Sequence, residues 1–385
     1  MCRAPSSSRL KASLPQVART VFIRGLLVVI LMAVGGTGSL AQTDGTALFR
    51  TDRLSERVLL LTEISPMENI VVAVATQMGL VLVDATGSPY TAGLLRSVVE
   101  ETFGRDDFAY LIQTHYHWDH AWGNSAFPEA MVVAHEGARA VVEADRTRLA
   151  DILPRRRENL QELETQLLAM GDGSPERGAL EERRDFQARS VRGMEGGFDI
   201  RDPDITFTDR LSLDLGDVTL DLTFFGRAHS GNDVLILIPE EEMVLTGDLF
   251  LDVGWLPLFA GQPVLDIPRW IDVLGLALDG EAEVSSVIPG HREAWSREKL
   301  DLWRGYIVDL WEGVNLTKAE GATLEDALAR FPLPERFLYL RELGHTDEEL
   351  NRFQRENVEA FWRQISEQGA SLNAPALRLR MRQRL

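Results

Sequence analysis

Thr114-His115-Tyr116-His117-Trp118-Asp119-His120 is the stretch on which the reading of this chain turns. It sets four potential metal ligands within six positions, and the β-type run Phe108–Thr114 leads directly into it. A strand that opens into a loop is a usual place for a site. Imidazole and carboxylate are ligand types that suit zinc. Three crowded histidines serve no packing purpose, and a buried carboxylate beside them needs a cation to offset its desolvation. The chain has seven histidines in all, so three in one short segment point to a metal and not to chance.

Upstream, β-type runs at Val58–Ile64, Ile70–Thr76 and Leu80–Asp84 are separated by Ser65-Pro66 and Met78-Gly79 and predict an antiparallel meander, followed by a helix over Ala92–Phe103. Downstream, a short strand Met131–Ala134 ends at His135. Residues 137–197 then turn helical and highly charged, with Leu160, Leu163 and Leu167 on one face among Arg155, Arg156, Arg157, Glu158, Glu162 and Glu164. This reads as a helical insertion with a solvated charged face. Strands resume at Ile205–Leu213, Val218–Phe225, Asp233–Ile238 and Met243–Thr246. A helix over Ile267–Leu278 precedes the strand Val284–Ile288, which runs into Pro289-Gly290-His291 and repeats the strand-to-ligand arrangement. Beyond residue 297 the chain turns helical, with Trp303, Ile307, Leu310, Trp311 and Val314 at helical spacing, and Thr323 with Asp326 and Thr346 with Glu349 mark helix starts.

The cluster resembles the His-x-His-x-Asp-His signature of the metallo-β-lactamase superfamily. Three later motifs follow in that family's order: Gly226-Arg227-Ala228-His229-Ser230-Gly231, Thr246-Gly247-Asp248 and Pro289-Gly290-His291. The resemblance spans residues 57–300. It implies an α/β (α+β) fold, a four-layer αββα sandwich of two mixed sheets flanked by helices, with metals at one edge. Carried over position by position, it implies His115, His117 and His229 around a first metal, Asp119, His120 and His291 around a second, and Asp248 between them. The implied cofactors are two zinc ions, with iron or manganese as alternatives. The implied chemistry is cleavage of an ester, thioester, lactone or cyclic amide by a metal-held hydroxide that Asp119 orients. Two other readings stay open: a β-lactamase of the cysteine-free type, and an oxidoreductase like the mononuclear-iron persulfide dioxygenases.

Several residues sit around this core assignment. Asp84 resembles the family's early aspartate, which hydrogen-bonds a ligand histidine. His135 reads as a structural histidine or one that braces a ligand, and not as a metal ligand. Trp118 and Trp122 beside the ligands, and Trp255, Pro257 and Phe259 after Asp248, are equally readable as core or as an apolar substrate wall. The chain departs from the family's pattern at Arg292, where a small residue, commonly glycine, follows the last histidine. It also departs at Ala228 and Ser230, which flank His229 where glycine and threonine are more usual. These departures bear on the substrate pocket and leave every ligand in place.

The first 41 residues carry Arg3, Arg9, Lys11, Arg19 and Arg24 and no acid, then an apolar run from Gly25 to Val34 and the small-x-small sequence Ser39-Leu40-Ala41. That run is too short for a bilayer core of roughly 30 Å, and the layout is that of a signal peptide. Its removal leaves 35 basic against 59 acidic residues, a net charge of −24. Such a surface repels phosphate backbones and anionic lipid, so a small-molecule substrate is expected, with no nucleic acid and no membrane after cleavage. The sole cysteine, Cys2, leaves with the leader, so neither disulfide nor thiolate ligand is expected in the mature chain. The expected organisation is a signal peptide (1–41), a linker (42–56), the metallo-β-lactamase-like domain (57–300, with insertion 137–197) and a C-terminal helical extension (301–385), in a periplasmic or secreted protein.

Overall fold

The computed structural model describes residues 9–11, 48–171, 173–197, 199–250, 266–342 and 344–368. The expected signal peptide lies outside the described residues apart from Arg9–Lys11, a short strand β1. Two seven-stranded mixed sheets form the body. In the first, β2 (Phe49–Arg53), β3 (Val58–Glu63), β4 (Ile70–Thr76) and β5 (Gly79–Val83) form an antiparallel meander. Three parallel strands continue it: β6 (Phe108–Ile112), β7 (Met131–His135) and β8 (Ile205–Phe207). The second sheet runs from β1 through β9 (Arg210–Asp214), β10 (Thr219–Gly226), β11 (Asp233–Ile238) and β12 (Met243–Gly247) to β13 (Ser286–Pro289) and β14 (Trp295–Ser296).

The strand sequences explain why there are four layers. In β5 every residue is buried, and the two-residue period sends Val81 and Val83 one way and Leu80 and Leu82 the other. Val81, with Val72 and Ile112, meets Leu220, Val234, Ile236 and Leu245 of the second sheet in the central core. Leu80 and Leu82 lie instead under Leu95 and Val99 of α1 (Pro89–Phe103). Likewise Val244 of β12 turns away from the central core toward Trp270 of α5 (Ile267–Leu278), Trp303 and Leu310 of α6 (Arg297–Ala319), and Phe361 of α8 (Asp347–Gln368). Each fully buried side chain of this kind contributes about 1.5–3 kcal/mol. The result is the expected αββα sandwich.

Three details differ from the expectations. Residues 49–53, expected as linker, form β2, whose backbone pairs with β3 from Phe49 opposite Glu63 to Arg53 opposite Leu59. The run Ile205–Leu213, expected as one strand, breaks at Thr208-Asp209: β8 closes the first sheet and β9 belongs to the second. Helix α1 starts at Pro89 and not at Ala92, because Ser88 caps it by accepting from the Thr91 N–H, and proline suits the first helical position. The C-terminal helices share the core of α5 and β13, with Trp303 stacked 6.2 Å from Trp295. Both expected helix starts are present, Thr323 bonding Asp326 at the head of α7 (Leu324–Arg330) and Thr346 bonding Glu349 at the head of α8, each reciprocally. Among the described residues no helix is long and apolar enough to cross a membrane.

Candidate metal centre

The strands β6, β10, β12 and β13 each lead into a candidate ligand segment. After β6 the chain passes Thr114 and presents His115 and His117, then winds into the one-turn helix α2 (Trp118–Ala121), which carries Asp119 and His120. His229 follows β10, Asp248 follows β12 and His291 follows β13. All seven residues come together. Their ligating atoms fall into three groups, each with members within 4.8 Å of one another: His115 with His117 and His229, Asp119 with His120 and His291, and His115 with His120 and Asp248.

Asp248 lies between the first two groups. One carboxylate oxygen is 3.5 Å from His229 Nε2, 3.3 Å from His291 Nε2 and 3.9 Å from His115 Nε2; the other is 3.4 Å from His120 Nε2. Gly290 makes room for it, since a Cβ there would sit 2.1 Å from Asp248 Oδ1. Gly247, at φ +51°, passes so close to Thr114 that a Cβ would lie 2.6 Å from its hydroxyl.

Four of the seven ligands are aimed by a bond to a neighbouring group. Asp84 accepts from the Thr114 N–H (2.9 Å), the Thr114 hydroxyl (2.8 Å) and His120 Nδ1 (2.9 Å), which leaves His120 Nε2 as a free lone pair. Thr114 Oγ1, its proton given to Asp84, faces His115 Nδ1 at 3.2 Å. His291 Nδ1 donates to the Met67 carbonyl at 2.7 Å. Asn69 donates from its side-chain amide to both the carboxylate and the carbonyl of Asp119, each at 3.2 Å. Asn232 accepts from the Tyr116 N–H at 2.7 Å and pins the loop between His115 and His117.

A cation fits this donor set. His115 Nε2, His120 Nε2 and Asp248 Oδ1 are buried and have no hydrogen-bond partner among the described residues. Such atoms are costly unless something meets them. The electrostatics agree. Burial drives His115 well below its ordinary value and His229 down to about 4, so both favour the neutral, ligating form. Burial works against the charged form of Asp119 and Asp248, yet His120 and, next to it, His291 outweigh it and hold both carboxylates below the usual range. The acids in turn overcome burial at His120, raised well above its ordinary value, and at His291, raised to about 10, with Asp248 the largest upward influence on each. Both upward shifts reflect the negative charge that Asp119 and Asp248 crowd around these rings, a charge that a cation in the centre would meet.

The cleft over these ligands has a volume of about 340 Å³ and is lined by Pro66, Met67, His117, Asp119, His229, Asp248, His291 and Arg292. Beside it the segment expected as an insertion forms two helices, α3 (Ala138–Ala169) and α4 (Arg177–Glu195). Arg156 of α3 covers the Trp118 ring at 4.4 Å, and Phe186 of α4 packs on it at 6.2 Å. Trp122 is buried and donates to Asp145. Both tryptophans are therefore packing residues and not cleft lining. His135 is structural as well, stacked on Phe224 at 3.8 Å and accepting from the Gly137 N–H. Trp255, Pro257 and Phe259 lie outside the described residues. Asn69, Asn232 and the Met67 carbonyl were not legible as site residues; an asparagine after a turn, or a main-chain oxygen, carries no signal of its own.

The model of the metallo-beta-lactamase superfamily matches residues 67–308, well over half of the chain and all seven ligand positions. The chain belongs to the metallo-beta-lactamase superfamily. Solved superfamily structures resemble it at low identity. The metallo-beta-lactamase from Pontibacter korlensis is 15% identical over 67% of this chain and 98% of its own, with a TM-score of 0.46. The stereoselective inverting sec-alkylsulfatase Pisa1 from Pseudomonas sp. is 16% identical over 85% of this chain and 51% of its own, with a TM-score of 0.52. The metallo-β-lactamase FIM-1 from Pseudomonas aeruginosa, in a mono-zinc form, is 15% identical over 67% and 94%, with a TM-score of 0.43. At such identities the likeness speaks to the fold alone. A search of curated proteins finds no match.

Proposed function

We propose that this superfamily member is an exported hydrolase that uses two zinc ions to cleave an ester, thioester, lactone or cyclic amide in a small molecule. The observation that carries the reading is the convergence of seven ligating side chains on a cleft, with Asp248 within reach of both three-residue groups and buried donor atoms left unpaired. His115, His117 and His229 would hold one ion, Asp119, His120 and His291 the other, and Asp248 both. Zinc in such sites supplies Lewis acidity and brings the pKa of a water near neutrality.

The chain's own contribution is alignment and charge. Asp84, Thr114 and the Met67 carbonyl fix the ring orientations of His120, His115 and His291, so that their Nε2 atoms face Asp248 before any substrate arrives. Asn69 holds Asp119, whose ionised carboxylate faces the cleft and can orient a water by accepting its proton in a hydrogen bond. The acidic surface left after leader removal disfavours nucleic acid as substrate.

Elemental analysis of the purified mature protein, with a panel containing an aryl ester, a thioester, a lactone and a chromogenic β-lactam, tests this. Two zinc ions per chain with turnover of the ester, thioester or lactone supports it, and ring opening of the β-lactam alone would narrow it to the antibiotic-cleaving branch. One iron per chain with oxygen uptake on a persulfide would overturn it.

A further inference from the structure

The residue immediately after the last ligand adopts a backbone conformation that glycine takes freely and L side chains rarely adopt. Arg292 has φ +72°. That backbone is held on both sides: its N–H donates to the Glu68 carbonyl at 2.9 Å, and its carbonyl accepts from Arg50 at 3.4 Å. The side chain is exposed and lines the cleft beside His117, His229 and Asp248. Of the other arginines near the centre, Arg189 pairs with the buried Glu63, and Arg156 lies over the Trp118 ring and is not among the cleft-lining residues. Among the described residues Arg292 has no side-chain hydrogen bond or ion pair, and it is the one arginine or lysine among those that line the cleft.

We propose that Arg292 makes this enzyme selective for substrates that carry an anionic oxygen group, a carboxylate or a sulfate, away from the bond that is cut. The proposal rests on the hydrolase reading of the same cleft. The guanidinium presents a planar fork of N–H donors that matches such a group two bonds at a time. The need for it follows from the net charge, −19 for the whole sequence and −24 without the expected leader, which opposes the approach of any anion. A cation fixed at the cleft offsets that repulsion locally. A glycine at position 292 would relieve the backbone but leave a neutral entrance, so the side chain is what the strained conformation retains.

Calorimetry on the zinc-loaded protein tests this without turnover. The probes are the dicarboxylates from malonate to adipate and the sulfonated acids sulfoacetate and 3-sulfopropanoate, each compared with the monocarboxylate of the same length. One end is to occupy the metal centre while the other meets Arg292. The best two-headed probe should bind about tenfold tighter than its one-headed partner, the lower range for a charge-assisted hydrogen bond at an exposed group. Arg292→Gly should remove that advantage without lowering the melting temperature, and Arg292→Lys should keep part of it. Whether the dicarboxylates or the sulfonated acids bind tighter identifies the group. Absence of the advantage at every length, or its persistence in Arg292→Gly, would overturn the proposal. The two readings fail separately: no turnover of any ester with the two-headed preference intact removes the hydrolase, whereas turnover of neutral esters without that preference removes only the role of Arg292.

Discussion

Adding one methyl group at Gly290 should dismantle the metal centre while leaving the sandwich standing. An alanine Cβ there would lie 2.1 Å from Asp248 Oδ1 and 2.9 Å from His120 Cε1, whereas real Cβ contacts essentially never fall under 3.0 Å. The carboxylate must therefore give way by at least about 0.9 Å, several times the ±0.2 Å tolerance of metal–ligand distances. The backbone has little freedom to retreat, because the Gly290 carbonyl accepts from the Ile70 N–H at 2.8 Å and its own N–H donates to the Gly247 carbonyl at 2.9 Å. Breaking either bond would cost about 0.5–1.5 kcal/mol. Loss of an outer partner typically weakens metal binding 10- to 100-fold. Displacing the shared ligand itself should reach the upper end, about 100-fold or about 2.7 kcal/mol. Competition with a chromogenic zinc chelator measures this directly. Gly93→Ala is the control, since that glycine lies within α1 with nothing within 4 Å of its Cβ position and should gain up to about 1 kcal/mol of stability. If Gly290→Ala binds two zinc ions as tightly as the wild type, Asp248 does not stand between the ions and the assignment of the centre is wrong.

Asp84→Ala removes the acceptor of three hydrogen bonds and should cost about 10- to 100-fold in zinc affinity, read by the same competition, with His120 the ring most disturbed in its NMR chemical shifts. Asn69→Ala should lower kcat by about tenfold with a smaller change in KM, because Asp119 loses the amide that orients it while the cleft lining is unchanged. Lys299, partly buried against Trp295, has its amine pushed down by burial to about 8. Its folded pKa lies below its unfolded one, so the unfolded chain binds the extra proton between about pH 8 and the ordinary lysine range, and stability rises with pH across that window. Urea melts at pH 7.5 and 10 should show this increment in the wild type and its loss in Lys299→Met.

The layers of the fold follow from residue patterns that local physics sets. The two-residue period of β5 divides Val81 and Val83 from Leu80 and Leu82 whatever the surroundings, and uninterrupted apolar strands demand cover on both faces. The break between β8 and β9 was less legible: the alternation is interrupted only at Asp209 and resumes in the same phase at Leu211, so Ile205–Leu213 reads as one strand until the two sheets show that the chain crosses at Thr208-Asp209. Likewise Phe49–Arg53 has one buried residue in five, so its pattern reads as linker until β3 supplies the edge on which it pairs.

By itself the sequence determined the ligand types, because seven histidine and aspartate side chains in four motifs have few uses other than holding a cation. Tertiary structure alone decided that Asp248 reaches both groups, that Asn69 and Met67 brace ligands distant in the sequence, and that Arg292 enters the cleft in a glycine-like conformation. Ligand chemistry belongs to each residue. Distance, orientation and backbone strain belong to the packing of segments far apart in the chain, and no single segment contains them.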